Sequence, residues 1–278
     1  MPFPVGFLIG LACASLATVL LPRGRQRLAH AGRDGEVEPR RVGFGLWVGL
    51  AAGSVVLGLV QGRLDAAGLR GVGSPVWTLP LAALPLALAT LASDLGRVRS
   101  ERHAVGLLVS GVALFFAGFA FPVLTNPLTG TVAVATIWQV ILCAIWLFLL
   151  ASVLEMISLI PAGVGLFGLA LSGVIWLAGG TQQTVASYAL AGLVAGAIAG
   201  RMAAGLVAHR GEGVVPLGKT EVFGLALWLT ALTNAAFLKS VALAGFVLPL
   251  GALAVMLIVL TLRAFERSLL LRPAPRSD

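Results

Sequence analysis

The feature that most limits this chain is the recurrence of long apolar runs with almost nothing charged inside them. Nine occur, at roughly 5–21, 43–61, 76–92, 104–122, 133–154, 163–179, 184–204, 221–238 and 241–262. Each is ~17–22 residues long, which as a helix rising 1.5 Å per residue matches a hydrocarbon core about 30 Å thick. A transmembrane barrel strand would be half as long and would alternate apolar with polar residues. The expected fold is therefore all-α, a polytopic membrane helix bundle of about nine transmembrane helices. Pro22, Gly73–Pro75, Asn126-Pro127, Gly179-Gly180 and Pro216 punctuate the runs. Charged residues make up only 11% of the 278, against about 25% in a soluble domain. The connections are too short for a separate aqueous domain, so residues 1–278 form a single integral membrane domain with a short basic tail, 263–278.

The placement of Lys and Arg orients the bundle, because basic residues are retained on the cytoplasmic side. With the N-terminus outside, the inner loops hold Arg23, Arg25, Arg27, Arg33, Arg40 and Arg41, then Arg97, Arg99 and Arg102, then Arg201, Arg210 and Lys219. The tail adds Arg263, Arg267, Arg272 and Arg276, leaving Arg63, Arg70 and Lys239 outside. Sixteen against three places the N-terminus outside and the C-terminus in the cytoplasm, and requires an odd number of spans. Ten of the 11 acids share the inner face, Asp65 being the exception. A net charge of +8 carried between apolar spans reads as topology and contact with membrane lipid, and excludes nucleic acid as the expected partner.

Cys13 and Cys143 lie inside apolar runs and read as small core residues, while His30, His103 and His209 stand in separate loops without ligand spacing. The first run has no basic residue before it, and Ala12-Cys13-Ala14 is a poor processing site, so it is expected to stay as a helix. Gly192, Gly196 and Gly200 form a stripe on the seventh span that lets another helix approach closely. The partner is either a helix of the same chain or a second copy in a homodimer. Gln139, Ser172, Thr230 and Asn234 read as interhelical hydrogen-bonding residues.

One stretch departs from the pattern. Residues 146–168, WLFLLASVLEMISLIPAGVGLFG, run as an apolar helix into a break at Glu155–Pro161 and then into a glycine-rich helix. Pro161 stops a continuous helix, and an acid at the end of an otherwise apolar span marks a water boundary. Such a break is a place for a membrane enzyme's site.

Four segments together resemble the polyprenyl-phosphate N-acetylhexosamine-1-phosphate transferases, integral enzymes that load a sugar phosphate from a UDP-sugar onto a lipid phosphate. The first inner loop carries Pro39, Arg40, Gly43 and Gly45 in a similar order. The second has Asp94 where the family has the second of two adjacent aspartates, with Ser93 in place of the first. Aligned on Trp146, the family's two asparagines fall on Ser152 and Glu155, and its two aspartates on Ser158 and Pro161. In VVPLGKTEVFGLALW, Gly218 matches a family glycine and Lys219 replaces an aspartate. The family's histidine-rich loop has no counterpart.

The resemblance implies the family scaffold in a bacterial cytoplasmic membrane, with a role in peptidoglycan or other envelope polysaccharide synthesis. The family reaction uses Mg²⁺ held by carboxylates against the UDP-sugar diphosphate. Only Asp94 keeps a family acid, and Lys219 would repel Mg²⁺ by several kcal/mol at ~4 Å. The expectation is a catalytically degenerate relative that needs no cofactor and binds a polyprenyl phosphate or lipid-linked sugar, or supports a membrane protein partner. An active Mg²⁺-dependent transferase with displaced ligands and an unrelated transporter or channel are the alternatives.

Each candidate residue has a plainer reading too. Asp94 is either a remnant of the catalytic site or a local partner for Arg97 and Arg99. Glu155 is either a boundary carboxylate in water or a buried acid needing Arg201 or Lys219. Lys219 either stands in for the missing metal by holding a lipid phosphate, at a site made with Arg201, Arg210 and Glu155, or simply sets topology.

Overall fold

The computed structural model describes residues 2–21, 44–66, 76–94, 102–119, 123–126, 130–133, 135–158, 163–178, 185–208 and 217–237. Eight α-helices run through them: α1 (Pro2–Leu20), α2 (Gly45–Ala66), α3 (Leu79–Asp94), α4 (Arg102–Phe116), α5 (Thr136–Ile157), α6 (Gly163–Ala178), α7 (Val185–Ala208) and α8 (Lys219–Phe237). They coincide with the first eight apolar runs to within a few residues. The ninth run, 241–262, and the basic tail, 263–278, lie outside the described residues. Phe3–Leu20, Thr136–Ile157 and Tyr188–Gly205 are long and apolar enough to cross a membrane, and shorter apolar helices accompany them. Leu8, Leu59, Leu81, Leu108, Trp138 and Phe148 are each more than half exposed, an apolar exterior suited to lipid and foreign to water.

The helical expectation needs one amendment. The fourth run was expected to stay helical to residue 122, yet α4 ends at Phe116. Gly118 takes φ 84°, a left-handed conformation that suits glycine. The Gly118 amide then donates to the Phe115 carbonyl and the Phe119 amide to that of Leu114, each at 3.0 Å, which closes a Schellman turn. Leu114 and Phe119 bury together in the core beneath it. After the turn, β1 (Val123–Asn126) pairs antiparallel with β2 (Gly130–Ala133), Val123 opposite Ala133, in a small hairpin before α5.

Two packing arrangements hold the bundle. The first is the α1–α7 pair. A Cβ added at Gly192 or Gly196 would strike the carbonyl of Phe3 or Phe7, and one at Gly200 that of Leu11. Gly6 and Gly10 of α1 meet the backbone of Ala189 and Leu193 in the same way. The two backbones thus touch along reciprocal glycine stripes. The stripe on α7 is filled from within the chain by α1, the first of the two partners its spacing left open.

The second is α8, every residue of which is buried from 220 to 234. It packs against α2, α3, α5, α6 and α7. Trp228 Nε1 donates to Ser54 Oγ at 2.8 Å, and Trp146 Nε1 to Thr233 Oγ1 at 2.9 Å. Asn234 Nδ2 donates at 2.9 Å to the Phe119 carbonyl, which also accepts from Cys143 Sγ. Asn234 is therefore the bridging residue its sequence position implied, and Cys143 is buried as expected. Thr230 differs: its hydroxyl turns back to the Ala226 carbonyl of its own helix. Ser172 is buried with its hydroxyl unpaired among the described residues.

Candidate functional site: two ion pairs at one end of the bundle

The start of α2, the ends of α5 and α7, and the start of α8 converge at one end of the bundle. Two ion pairs and one backbone amide hydrogen bond join them there. Gly218 precedes α8, and the Val222 amide donates to its carbonyl at 3.0 Å in the first helical bond. Gly218 is thus the N-cap, Lys219 the first helical residue and Glu221 the third. At 100° per residue, Lys219 and Glu221 point to nearly opposite sides of the helix.

Glu221 points inward and is completely buried. Its Oε1 accepts from Arg201 Nε at 2.8 Å and from the Leu46 amide at 3.0 Å. Its Oε2 accepts from Arg201 Nη2 and from the Gly218 amide, both at 3.2 Å. The bond to Gly218 is the return half of a capping box. Leu46 lies in the first turn of α2, where amides have no partner within the helix. One carboxylate therefore caps two helix N-termini and takes a side-on pair of bonds from an arginine on a third helix. Two positive helix ends and a guanidinium compensate its burial.

Lys219 points outward. Its Nζ lies 3.4 Å from Glu155 Oε1, with the two side chains 41% and 48% exposed. Glu155 sits in the last turn of α5, which ends on Ser158 as C-cap. The hydroxyls of Ser152 and Ser158 donate to carbonyls of their own helix, those of Phe148 at 2.8 Å and Glu155 at 2.6 Å.

The predicted residues therefore divide. Glu155 and Lys219 come together from two segments singled out in the sequence, and of its two candidate partners Glu155 takes Lys219. Ser152 and Ser158 lie one turn before and after Glu155 at the end of α5, and Gly218 immediately precedes Lys219. Gly45 opens α2 against Thr18 at the end of α1, next to Leu46. Arg201 is corrected. It was assigned to a lipid phosphate, but it is only 4% exposed and its Nε and Nη2 are spent on Glu221. Ser93 and Asp94 are the last residues of α3, and their side chains lie outside the described part. Pro39, Arg40, Gly43, Pro161 and Arg210 also lie outside the described residues.

Sequence reasoning missed Glu221. The available signal was its spacing: a glutamate three residues after Gly218, just ahead of an apolar run, is where a capping-box acid belongs. Its sign alone had assigned it to the polar inner face.

No family model and no curated protein matches the chain.

Proposed function

We propose that this protein is a multi-pass protein of a bacterial cytoplasmic membrane, with nine spans, its N-terminus outside and its C-terminus in the cytoplasm. It is a catalytically degenerate relative of the sugar-1-phosphate polyprenyl-phosphate transferases. It binds a polyprenyl phosphate, or a lipid carrying one, at the Glu155–Lys219 end of the bundle, and serves envelope polysaccharide assembly by binding or by supporting a partner.

The observation that carries this reading is the 3.4 Å approach of Lys219 to Glu155. The two belong to segments far apart in sequence, both of which resemble family motifs. Their meeting is what a shared site requires. A lysine stands where the family has an aspartate, and seryl hydroxyls turned to their own helix stand at two more polar positions. That replaces a carboxylate cluster suited to Mg²⁺ with a fixed ammonium suited to phosphate. The ammonium is accessible, as a ligand arriving from the membrane boundary needs.

The test is direct. Purified protein, supplied with polyprenyl phosphate and UDP-N-acetylglucosamine or a UDP-muramoyl peptide, is expected to release no UMP with or without Mg²⁺. It is expected to bind polyprenyl phosphate equally well in EDTA, and Lys219→Ala is expected to weaken that binding. Metal-dependent UMP release abolished by Asp94→Asn would establish an active transferase instead.

A further inference from the structure

We propose that Glu155 is a built-in competitor for the lipid phosphate, occupying Lys219 until a phosphate monoester displaces it. The inference rests on the binding role just assigned to Lys219 and concerns how access to that site is regulated.

Three observations carry it. First, Glu155 approaches Lys219 through one oxygen at 3.4 Å, an ion pair longer than the roughly 2.7–2.9 Å of a charge-assisted hydrogen bond. Second, both side chains are close to half exposed, so water already competes for the pair and its net worth is small. Third, the other ion pair described at this end is fully engaged. Arg201 and Glu221 are buried against each other, and Glu221 also takes the Gly218 amide beside Lys219. Glu155 is thus held at the site by its contact with Lys219, on the final turn of a helix, where a change of side-chain rotamer releases it.

The carboxylate occupies the place an incoming anion would take. A phosphate monoester carries more charge and a third oxygen, so it outcompetes a single exposed carboxylate. A neutral or zwitterionic lipid headgroup does not. The pair therefore discriminates between bulk lipid and the phosphate-bearing one, and it keeps Lys219 compensated while the site is empty. Exchange breaks no covalent bond: Glu155 rotates into water and the phosphate takes the ammonium.

The experiment measures binding by the full-length protein in nanodiscs of phosphatidylcholine, with and without a polyprenyl monophosphate, and with inorganic phosphate in solution as a separate arm. Removing the competitor in Glu155→Gln is expected to tighten polyprenyl-phosphate binding by about 2–5-fold, the size of an exposed ion pair. Lys219→Ala is expected to weaken it by about tenfold or more. In the Lys219→Ala background, Glu155→Gln is expected to have no further effect, since the two act through one contact. If Glu155→Gln binds no more tightly than wild type while Lys219→Ala binds more weakly, the competitor idea is overturned and the binding role survives. If wild type shows no preference for discs carrying the phosphate lipid, the binding role fails and the competitor with it. Equal tightening toward inorganic phosphate would overturn the restriction to a lipid-borne ligand.

Discussion

Glu221 and Glu155 are both acids paired with a base at the same end of the bundle, and each pair includes one residue from the first turn of α8. Glu221 is sealed in the core, holds four donors and links α2, α7 and α8. Glu155 lies at the surface and makes one long contact from α5. The difference is the one the proposed binding role requires, between charge used to build the bundle and charge left open to a ligand. Charge used for construction is saturated with hydrogen bonds and removed from water. The charge proposed to meet a ligand has an incomplete, water-accessible partner. A buried pair cannot open without stranding an ion in low dielectric, whereas an exposed pair exchanges partners at almost no cost.

The largest expected effect comes from breaking the buried pair. Glu221→Ala leaves Arg201 uncompensated and two helix N-termini uncapped. A loss of about 3–5 kcal/mol is expected, read as a large fall in the thermal unfolding midpoint of the detergent-solubilised protein. Replacing both charges, in Arg201→Met with Glu221→Leu, separates the charge from the caps. The stranded ion disappears but the Leu46 and Gly218 amides stay unpaired, so a deficit of about 1–3 kcal/mol for each should remain. Full recovery to wild-type stability would show that the carboxylate matters as a charge alone.

Next in size is the wall behind the pair. Arg201 follows the glycine stripe of α7, and Gly200 packs against Leu11 while accepting a hydrogen bond from Ser15 at 3.2 Å. A valine at Gly196 would collide with the backbone at Phe7 and push α1 away, with an expected cost of about 1–3 kcal/mol or more. Gly173, on α6, is the control: an added Cβ meets nothing within 4 Å, so Gly173→Ala should raise stability by about 0.5–1 kcal/mol through helix propensity. If Gly196→Val, like Gly173→Ala, cost no stability, α1 would not be seated on the stripe.

The residues that were easy and hard to read in the sequence fall along the same line. Hydrophobic length located the eight helices, because a span must satisfy its backbone internally and leaves a long apolar record. The glycine stripe was equally visible, although spacing alone did not say whether α1 or a second copy would fill it. The end of α4 was misread because Phe119 and its neighbours are as apolar as a helix, and only the Gly118 turn stops it. Arg201 was misassigned for a related reason. From composition, a buried arginine and a loop arginine look the same, and its burial depends on Glu221 arriving from 20 residues away. The Glu155–Lys219 pair was within reach because it joins two segments that had each been singled out already.

The smallest expected effect is on stability at the exposed pair, and it decides whether the comparison holds. Glu155→Gln and Lys219→Met should each change the unfolding free energy by less than about 1 kcal/mol, since an exposed pair returns little beyond the entropy of ordering two long side chains. Added salt should shrink even that, because the screening length falls to about 8 Å at physiological ionic strength and about 3 Å at 1 M. The same salt should leave the Glu221→Ala deficit nearly intact, as ions do not enter the core. Unfolding both variants and wild type across a salt series checks this. If Lys219→Met were as damaging as Glu221→Ala, or as indifferent to salt, Lys219 would be part of the construction and its ammonium would not be available to a phosphate. A near-neutral, salt-sensitive change would instead leave Lys219 as a charge whose value lies in what it binds.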